Sequence, residues 1–127
     1  MTDFKQLVVW QKSMELAQAV YSLSTLLPKN EAYGLSSQIR RCAVSIPSNI
    51  SEGYGRKTRG EYLQFLSISS GSACELETQL VLLERIYGLD VGCELSTRVG
   101  VQKMLDVLQS KLRASKPYHL KPSHYLI

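Results

Sequence analysis

Apolar side chains recur every three or four residues along most of this 127-residue chain, and no segment keeps the strict alternation of a β-strand. Such a period places the apolar side chains on one face of a helix. Glycine and proline interrupt the pattern in three places, so the sequence predicts four helices, at residues 4–27, 33–53, 59–87 and 92–114. Four helices with short connections in one small domain favour an all-α, antiparallel, up-down-up-down four-helix bundle.

Residues with known preferences for helix ends mark several of these boundaries. Asp3 is suited to cap the first helix, and Pro28 should stop it. Thr58 followed by Glu61 has the spacing of a capping box at the start of the third helix, and Gly88 should end that helix. These end signals agree with the division into four helices.

The second predicted helix has a regular apolar seam that is interrupted by a proline. The seam consists of Ile39, Ala43, Ile46 and Ile50. Pro47 has no amide hydrogen and its ring crowds the carbonyl four residues earlier, so we expect a kink there. The bend either wraps the helix around the core or shapes a contact between subunits.

The first and third predicted helices carry more apolar surface than one bundle core requires. Ile68, Leu82 and Ile86 lie opposite the main seam of the third helix, and the apolar arc of the first approaches half of its circumference. Surplus apolar surface is typical of interfaces, and we therefore expect a homo-oligomer.

The predicted bundle takes residues 1–114, and the composition changes after it. Residues 115–127 contain two prolines and no acidic residue. Because proline disfavours a continuing helix, we expect an extended C-terminal tail. This tail is either disordered or docked, on the bundle or on a neighbouring copy.

Composition also limits the cellular class of the protein. No run of about 18 apolar residues is present, so no membrane-spanning helix is expected. The first residues lack the basic start and the apolar run of a secretory signal. The three cysteines, an odd number without metal-ligand spacing, are typical of reduced thiols, and we predict a cytoplasmic protein.

The residue types needed for common catalytic chemistry are missing from the predicted helices. Both histidines, His119 and His124, lie in the tail, so neither is placed to activate a serine or to hold a di-metal centre in the bundle. The sequence contains neither a nucleophile elbow nor a phosphate-binding P-loop motif. We predict a protein that is not an enzyme and that uses no metal or cofactor.

Charge is distributed unevenly along the chain, whose formal net charge is +4. Residues 40–60 carry five basic residues against one glutamate, and residues 99–127 carry five against one aspartate, so each zone sums to +4. Residues 61–98, between them, carry six acidic residues against two arginines and sum to −4. A basic zone attracts nucleic acid, but an acidic partner or an acidic zone of a neighbouring copy can neutralise it equally well.

The loop GYGRKTRG, residues 53–60, is the main candidate for ligand binding. Arg56, Lys57 and Arg59 cluster at the predicted start of the third helix, where free N–H groups and the helix dipole favour anions. These cations are suited to the phosphates of a nucleic-acid backbone, and the nearby Tyr54 and Tyr62 are candidates for stacking on a base. The alternative is a solvated basic loop, or one paired with acidic residues of the third helix.

Helical geometry divides the arginine pair Arg40 and Arg41, because neighbouring side chains on a helix point about 100° apart. Arg41 lies on a polar stripe that faces the third helix, where a structural salt bridge to Glu77 or Glu84 is its expected role. Arg40 lies on a separate face that is suited to an interface or a ligand. Further phosphate contacts are expected from Arg40, Lys111 and Arg113.

The segment LSSQIRRCAVSIPSNISEGYGR, residues 35–56, resembles the signature of the four-helix-bundle proteins encoded in 23S rRNA intervening sequences. Segments of the first and third helices are similar to that family too, and the likeness covers residues 3–113. The positions that carry the family pattern are Gln38, Arg40, Arg41, Ser45, Pro47, Asn49, Glu52 and Gly53. Cys42 and Ser51 stand where the pattern usually has alanine.

The resemblance implies an antiparallel four-helix bundle that assembles as a homopentamer, without catalytic residues or a cofactor. It also implies a likeness to the accessory protein of diversity-generating retroelements, a pentameric barrel that binds nucleic acid and a reverse transcriptase. The combined prediction is a non-enzymatic homopentamer that binds RNA or DNA backbone through basic surface. The alternative is a structural or adaptor protein that scaffolds a protein partner through charge matching between subunits.

Overall fold

Four long α-helices make up most of the computed structural model, which describes residues 3–115. The helices are α1 (Val8–Ser24), α2 (Leu35–Tyr54), α3 (Arg59–Tyr87) and α4 (Gly92–Ala114). Short 3-10 turns at Phe4–Gln6 and Lys29–Glu31 precede α1 and α2, and the described residues contain no strand. The prediction of an all-α four-helix bundle is confirmed. The predicted tail lies outside the described residues, apart from Ser115.

The predicted bounds of α3 and α4 are confirmed, and local chemistry accounts for both ends of α3. The Thr58 hydroxyl oxygen accepts a hydrogen bond from the Glu61 N–H at 3.2 Å. At the other end, Gly88 has a φ of 66° and donates its N–H to the Glu84 carbonyl at 2.9 Å. Glycine adopts this left-handed backbone at little cost, so the helix stops where the sequence predicts.

The first helix is shorter than the predicted span of residues 4–27. Asp3 caps the 3-10 turn instead, since its carboxylate accepts the Lys5 N–H at 2.7 Å. Leu7 then adopts an extended backbone, with φ −69° and ψ 124°, and α1 begins only after it. Because Leu7 is completely buried, this break delivers one more apolar side chain to the core. The helix ends at Ser24, before the turn that leads to Pro28.

One core fills the space between the helices, and each helix packs against two others. The most extensive contact joins α2 to α3, followed by α1 with α2, α3 with α4 and α1 with α4. The predicted seam of α2 is fully buried, as are the leucines of α3 and α4 that face it; these residues are Ile39, Ala43, Ile46, Ile50, Leu66, Leu76, Leu80, Leu83, Leu105, Leu108 and Leu112. Burying this many branched side chains supplies most of the driving force for folding.

Helix α2 continues without a break through Pro47, which is buried. The missing amide leaves the Ala43 carbonyl without its usual partner in the helix. Polar side chains bond the backbone around this point: the Asn49 amide donates to the Ser45 carbonyl at 2.7 Å. From α3, the Ser69 hydroxyl donates to the Ile46 carbonyl at 2.9 Å. Neither bond reaches the Ala43 carbonyl, but both fix the backbone of the turn that contains Pro47.

The end of α2 approaches α3 closely at Gly53. A Cβ atom added to Gly53 would lie 2.8 Å from the Cβ of Phe65 and 3.0 Å from the Tyr62 ring. Any larger residue therefore requires the two helices to move apart. This glycine belongs to the family pattern, and its role here is to let the start of α3 pack tightly on α2.

Several large apolar side chains remain exposed on the single chain. They lie on the outer faces of α1 and α3, and they include the expected surplus positions Ile68, Leu82 and Ile86 together with Met14 and Tyr21. Their burial between copies stays a prediction. Among residues 3–115, none of the helices has the combination of length and apolar character needed to cross a membrane.

Candidate nucleic-acid interface

Arg59 joins the start of α3 to the end of α4. Its guanidinium donates to the Leu112 carbonyl at 3.4 Å and also to the Ser115 carbonyl. The last carbonyls of a helix have no partner within the helix, and a cation placed there satisfies them and the helix dipole. The contact half-buries Arg59, so part of its charge already serves the fold.

This contact brings together two basic segments that lie more than fifty residues apart in the sequence. We call the resulting surface the basic end, defined by Arg56, Lys57, Arg59, Lys111 and Arg113. The sequence suggested two separate patches, because neither periodicity nor charge indicates which helix ends are neighbours. The structure places all five cations around the junction of α3 and α4.

Arg56 is held by contacts that a ligand can replace. Its guanidinium lies 2.7 Å from the Glu52 carboxylate and 4.8 Å from the centroid of the Phe65 ring. The two charged side chains are 43% and 53% exposed, and a pair of this kind on a helix surface contributes only about 0.3–0.5 kcal/mol. Arg56 is thus positioned over the loop and remains available to an anion.

Among the described residues, Lys57 is one of two unconstrained cations of the basic end, the other being Lys111. It is exposed and has no hydrogen bond or ion pair within the part of the chain that the structure describes. It directly precedes the Thr58 cap, where the positive end of the α3 dipole points outward. Glu61, in the first turn, opposes this field and is also exposed.

Lys111 and Arg113 complete the basic end from the last turn of α4. Both side chains are exposed, and the Arg113 guanidinium donates to the Gln109 side-chain oxygen at 3.4 Å. Gln109 is itself buried and bonds the Ser70 hydroxyl at 3.0 Å, so it anchors Arg113 on the α3 side.

Arg40 lies away from the other candidates. Its Nε donates to the Ser24 hydroxyl at 2.6 Å and its guanidinium lies 5.1 Å from the centroid of the Tyr21 ring, both on α1. Arg40 precedes Arg56 by about four turns of α2, which separates them by roughly 24 Å. The structure therefore does not bring Arg40 into the basic end.

The predicted salt bridge of Arg41 to α3 is wrong. Glu77 instead pairs at 3.1 Å with Arg98 of α4, whose guanidinium also donates to the Ala73 carbonyl at 3.2 Å. Arg41 is exposed, and within residues 3–115 no carboxylate lies within 4.0 Å of it. Sequence reasoning missed Arg98, although its spacing of three residues before Val101 and seven before Leu105 places it on the buried side of α4.

The predicted base-stacking role of Tyr62 is also wrong, because Tyr62 is only 1% exposed. Its ring packs edge-on against Tyr54 at 6.2 Å between centroids, and burial raises the pKa of the Tyr62 hydroxyl. Tyr62 precedes the buried Leu66 by four residues, a helical spacing that places both side chains on the core side of α3. Tyr54 is half-buried and is the remaining candidate for stacking on a nucleic-acid base.

Two residues of the family pattern, Ser45 and Gly53, contact α3 directly. The Ser45 hydroxyl bonds the Ser72 hydroxyl at 2.6 Å and the Cys42 carbonyl at 2.7 Å. The Cys42 thiol donates to the Ser72 carbonyl at 3.1 Å, and burial raises the pKa of this thiol to about 12. Cys42 is therefore an inert packing residue at neutral pH. Gln38 is exposed on the same side of α2.

The described residues contain no group of three or more histidine, cysteine, aspartate or glutamate side chains that could hold a metal ion. His119 and His124 lie outside the part that the structure describes. The predicted absence of a metal, of a cofactor and of catalysis stays a prediction.

Comparison with known families identifies the chain. Residues 5–109 match the model of the family described as 23S rRNA-intervening sequence protein. A comparison with curated proteins finds no match. The match covers α1, α2, α3 and most of α4, including the whole of the segment from residue 35 to 56. The chain therefore belongs to the 23S rRNA-intervening sequence protein family.

Proposed function

We propose that this protein is a non-enzymatic, cytoplasmic homopentamer of up-down-up-down bundles that binds the backbone of RNA or DNA through the basic end. The observation that carries the proposal is the Arg59 contact with the end of α4, which gathers five cations from two segments. The basic end has Glu52 and Glu61 nearby, and Asp106 lines the same pocket as Arg113, so five positive charges face three negative ones.

The chemistry of the basic end fits phosphates better than a neutral ligand. Lys57 has no partner in the described residues, and Arg56 is held only by a weak exposed pair. Backbone phosphates are recognised by such cations and by helix N-termini, without reading the bases. Binding of this kind gives affinity and orientation but little sequence preference.

Assembly into an oligomer would increase the affinity of the basic end for a long nucleic acid. Five copies present five basic ends, and linked weak sites bind a long polyanion more tightly than one site alone. The exposed apolar side chains on the outer face of α3, Ile68, Leu82 and Ile86, are suited to contacts between copies.

Binding to structured RNA and to duplex DNA across a salt series tests the proposal. We expect affinity to fall steeply with salt, and the Arg56→Ala/Lys57→Ala variant to flatten the log–log slope by about two. The matched control is Lys29→Ala/Arg85→Ala, which removes two cations near the opposite end and should leave the slope unchanged. Affinity that does not depend on salt, or that the first variant does not change, would reject the proposal.

The second candidate function is an adaptor that captures a protein partner, such as a reverse transcriptase, through charge matching. The observation that favours it lies opposite the basic end, where Glu31, Glu84, Asp90 and Glu94 outnumber Lys29 and Arg85 and form an acidic end. Tyr87 holds this end together through a hydrogen bond to Glu31. If charge matching is the function, Arg56→Glu/Lys57→Glu changes the oligomer mass in light scattering or abolishes partner capture, and RNA binding is negligible from the start.

A further inference from the structure

A broad apolar groove runs along the outer side of α1 and α2, with a volume of about 770 Å³. Its principal lining residues are Phe4, Trp10, Met14, Tyr21, Val44 and Pro47, and the rest are small or neutral polar. Every lining residue that the structure describes is uncharged. Met14, Tyr21 and Val44 are 37%, 46% and 40% exposed, so the groove offers apolar surface that an apolar segment can cover.

One end of the groove lies near the point where the described chain stops. Its α2 wall reaches Ser51, one turn before the end of the helix at Tyr54. Arg59, five residues further on, bonds the Ser115 carbonyl. The distance from Ser51 to Tyr54, the distance from Tyr54 to Arg59 and the length of the Arg59 side chain together place Ser115 within roughly 20 Å of the groove.

We propose that residues 116–127 of the same chain occupy this groove, a step independent of nucleic-acid binding. An extended chain spans about 3.3 Å per residue, so residues 116–121 can bridge about 20 Å. Residues 122–127 then cover about another 20 Å, against a groove that runs from Trp10 to Tyr21, or about 16 Å of helix. The length of the segment therefore matches both the gap and the groove.

The chemistry of the segment also matches the groove. Its last six residues, PSHYLI, include Tyr125, Leu126 and Ile127 and no carboxylate, ammonium or guanidinium side chain, whereas Lys116 and Lys121 fall in the bridging part. The lining side chains are uncharged, and Arg40, which lies over the Tyr21 ring, already donates to Ser24, so the groove accepts such a segment without burying an unpaired charge. Proline-containing extended segments commonly dock in grooves lined by aromatic side chains, as Phe4, Trp10 and Tyr21 line this one.

Trp10 reports on the occupant directly, because it is the only tryptophan in the chain. In the full-length Tyr125→Ala/Leu126→Ala/Ile127→Ala variant, we expect Trp10 emission to shift to longer wavelength and acrylamide quenching to increase. The changed residues lie outside residues 3–115, so circular dichroism should stay close to that of the parent chain and show that the helices are intact. An unchanged Trp10 signal would overturn the proposal.

A groove variant tests the same contact from the other side. Val44→Lys should also red-shift Trp10, and combining it with the triple variant should add little, because both remove one interaction. The matched control is Val107→Lys, which places a lysine on α4 at a similar exposure of 46% and should leave Trp10 unchanged. Fully additive shifts would contradict the proposed contact.

A mixing experiment distinguishes the same chain from a second copy. The triple variant is refolded together with a Trp10→Phe chain that keeps the natural segment and contributes no tryptophan signal. Docking within one chain predicts that Trp10 of the triple variant stays exposed. Recovery of the short-wavelength emission would show that a neighbouring copy supplies the segment, and would overturn the assignment to the same chain.

Discussion

The two ends of the bundle are joined in similar ways but present opposite charge. At the basic end, Arg59 crosses from α3 to the last carbonyls of α4. At the acidic end, the Tyr87 hydroxyl donates to the Glu31 carboxylate, which also accepts the Leu35 N–H at 3.4 Å. Each end is thus joined by one side chain of α3. The two ends differ in the charged side chains that join no helices: these are cations such as Lys57 at one end and carboxylates such as Glu84 at the other.

At each end, the side chain that joins two helices can be distinguished from the charged side chains around it. A side chain that joins two helices has part of its bonding capacity satisfied and contributes to stability. The charges left around it, which touch little, are available to a partner. Changes at joining residues should therefore alter stability first, and changes at the remaining charges should alter binding first.

The largest expected effect on stability is at Gly53, where α2 and α3 pack most closely near the basic end. Gly53→Ala places a Cβ 2.8 Å from that of Phe65, and the overpacking should lower the free energy of unfolding by about 1–3 kcal/mol. Gly100→Ala is the matched control, because an added Cβ meets nothing within 4 Å in the interior of α4. That change should be neutral or stabilise by about 0.5–1 kcal/mol in urea unfolding. Equal effects at the two glycines would contradict the close approach.

Arg59→Ala should have the next largest effect on the fold. It leaves the Leu112 and Ser115 carbonyls without their cation, and a hydrogen bond to a charged group contributes about 1.5–3 kcal/mol when it is well formed. Because Arg59 is half-buried, we expect a loss near the lower end, about 1.5 kcal/mol, with faster amide exchange in the last turn of α4. Lys57→Ala, two residues away, should leave both measurements unchanged. Loss of stability in both variants would show that net charge, not the contact, matters.

A smaller effect is expected at the acidic end at high pH. The hydrogen bond to Glu31, followed by burial, raises the pKa of Tyr87 in the folded protein. A raised pKa means that folding favours the protonated hydroxyl, so this contribution is complete below about pH 10 and is lost as the pH rises through the folded pKa. Thermal unfolding of the wild-type chain should therefore approach that of Tyr87→Phe above that pH. If the wild-type chain instead became increasingly more stable than Tyr87→Phe as the pH rises, the proposed role of the Tyr87–Glu31 hydrogen bond would be contradicted.

The sequence predicts the helices of this protein well because their signals are local. The seam from Ile39 to Ile50 can be predicted from helical periodicity alone. The ends of α3 can be predicted from the capping residue Thr58 and from Gly88, since glycine readily adopts a left-handed backbone. The short first helix was not predicted, because the extended backbone at Leu7 depends on burial in the finished core. Local pattern does not contain that information.

The candidate site was harder to predict, because it depends on how helices rotate and which ends meet. The loop cations Arg56 and Lys57 were correctly expected at the start of α3. Nothing in the spacing of Arg59 indicates that its partners are carbonyls of α4, more than fifty residues later. Glu77 could equally face Arg41 or Arg98 until the packing of α4 on α3 is known, and the packing selects Arg98.

A comparison of two charge-reversed variants tests the central claim, that the basic end holds a nucleic-acid backbone. Lys57→Glu/Lys111→Glu and Lys29→Glu/Arg85→Glu each exchange two cations for two anions, which lowers the formal net charge from +4 to zero. Affinity for one structured RNA is measured at a single salt concentration for both variants and the parent chain. We predict that the basic-end variant loses affinity about ten-fold or more while the other variant keeps it. Equal losses in both variants, or no loss in either, would contradict the account.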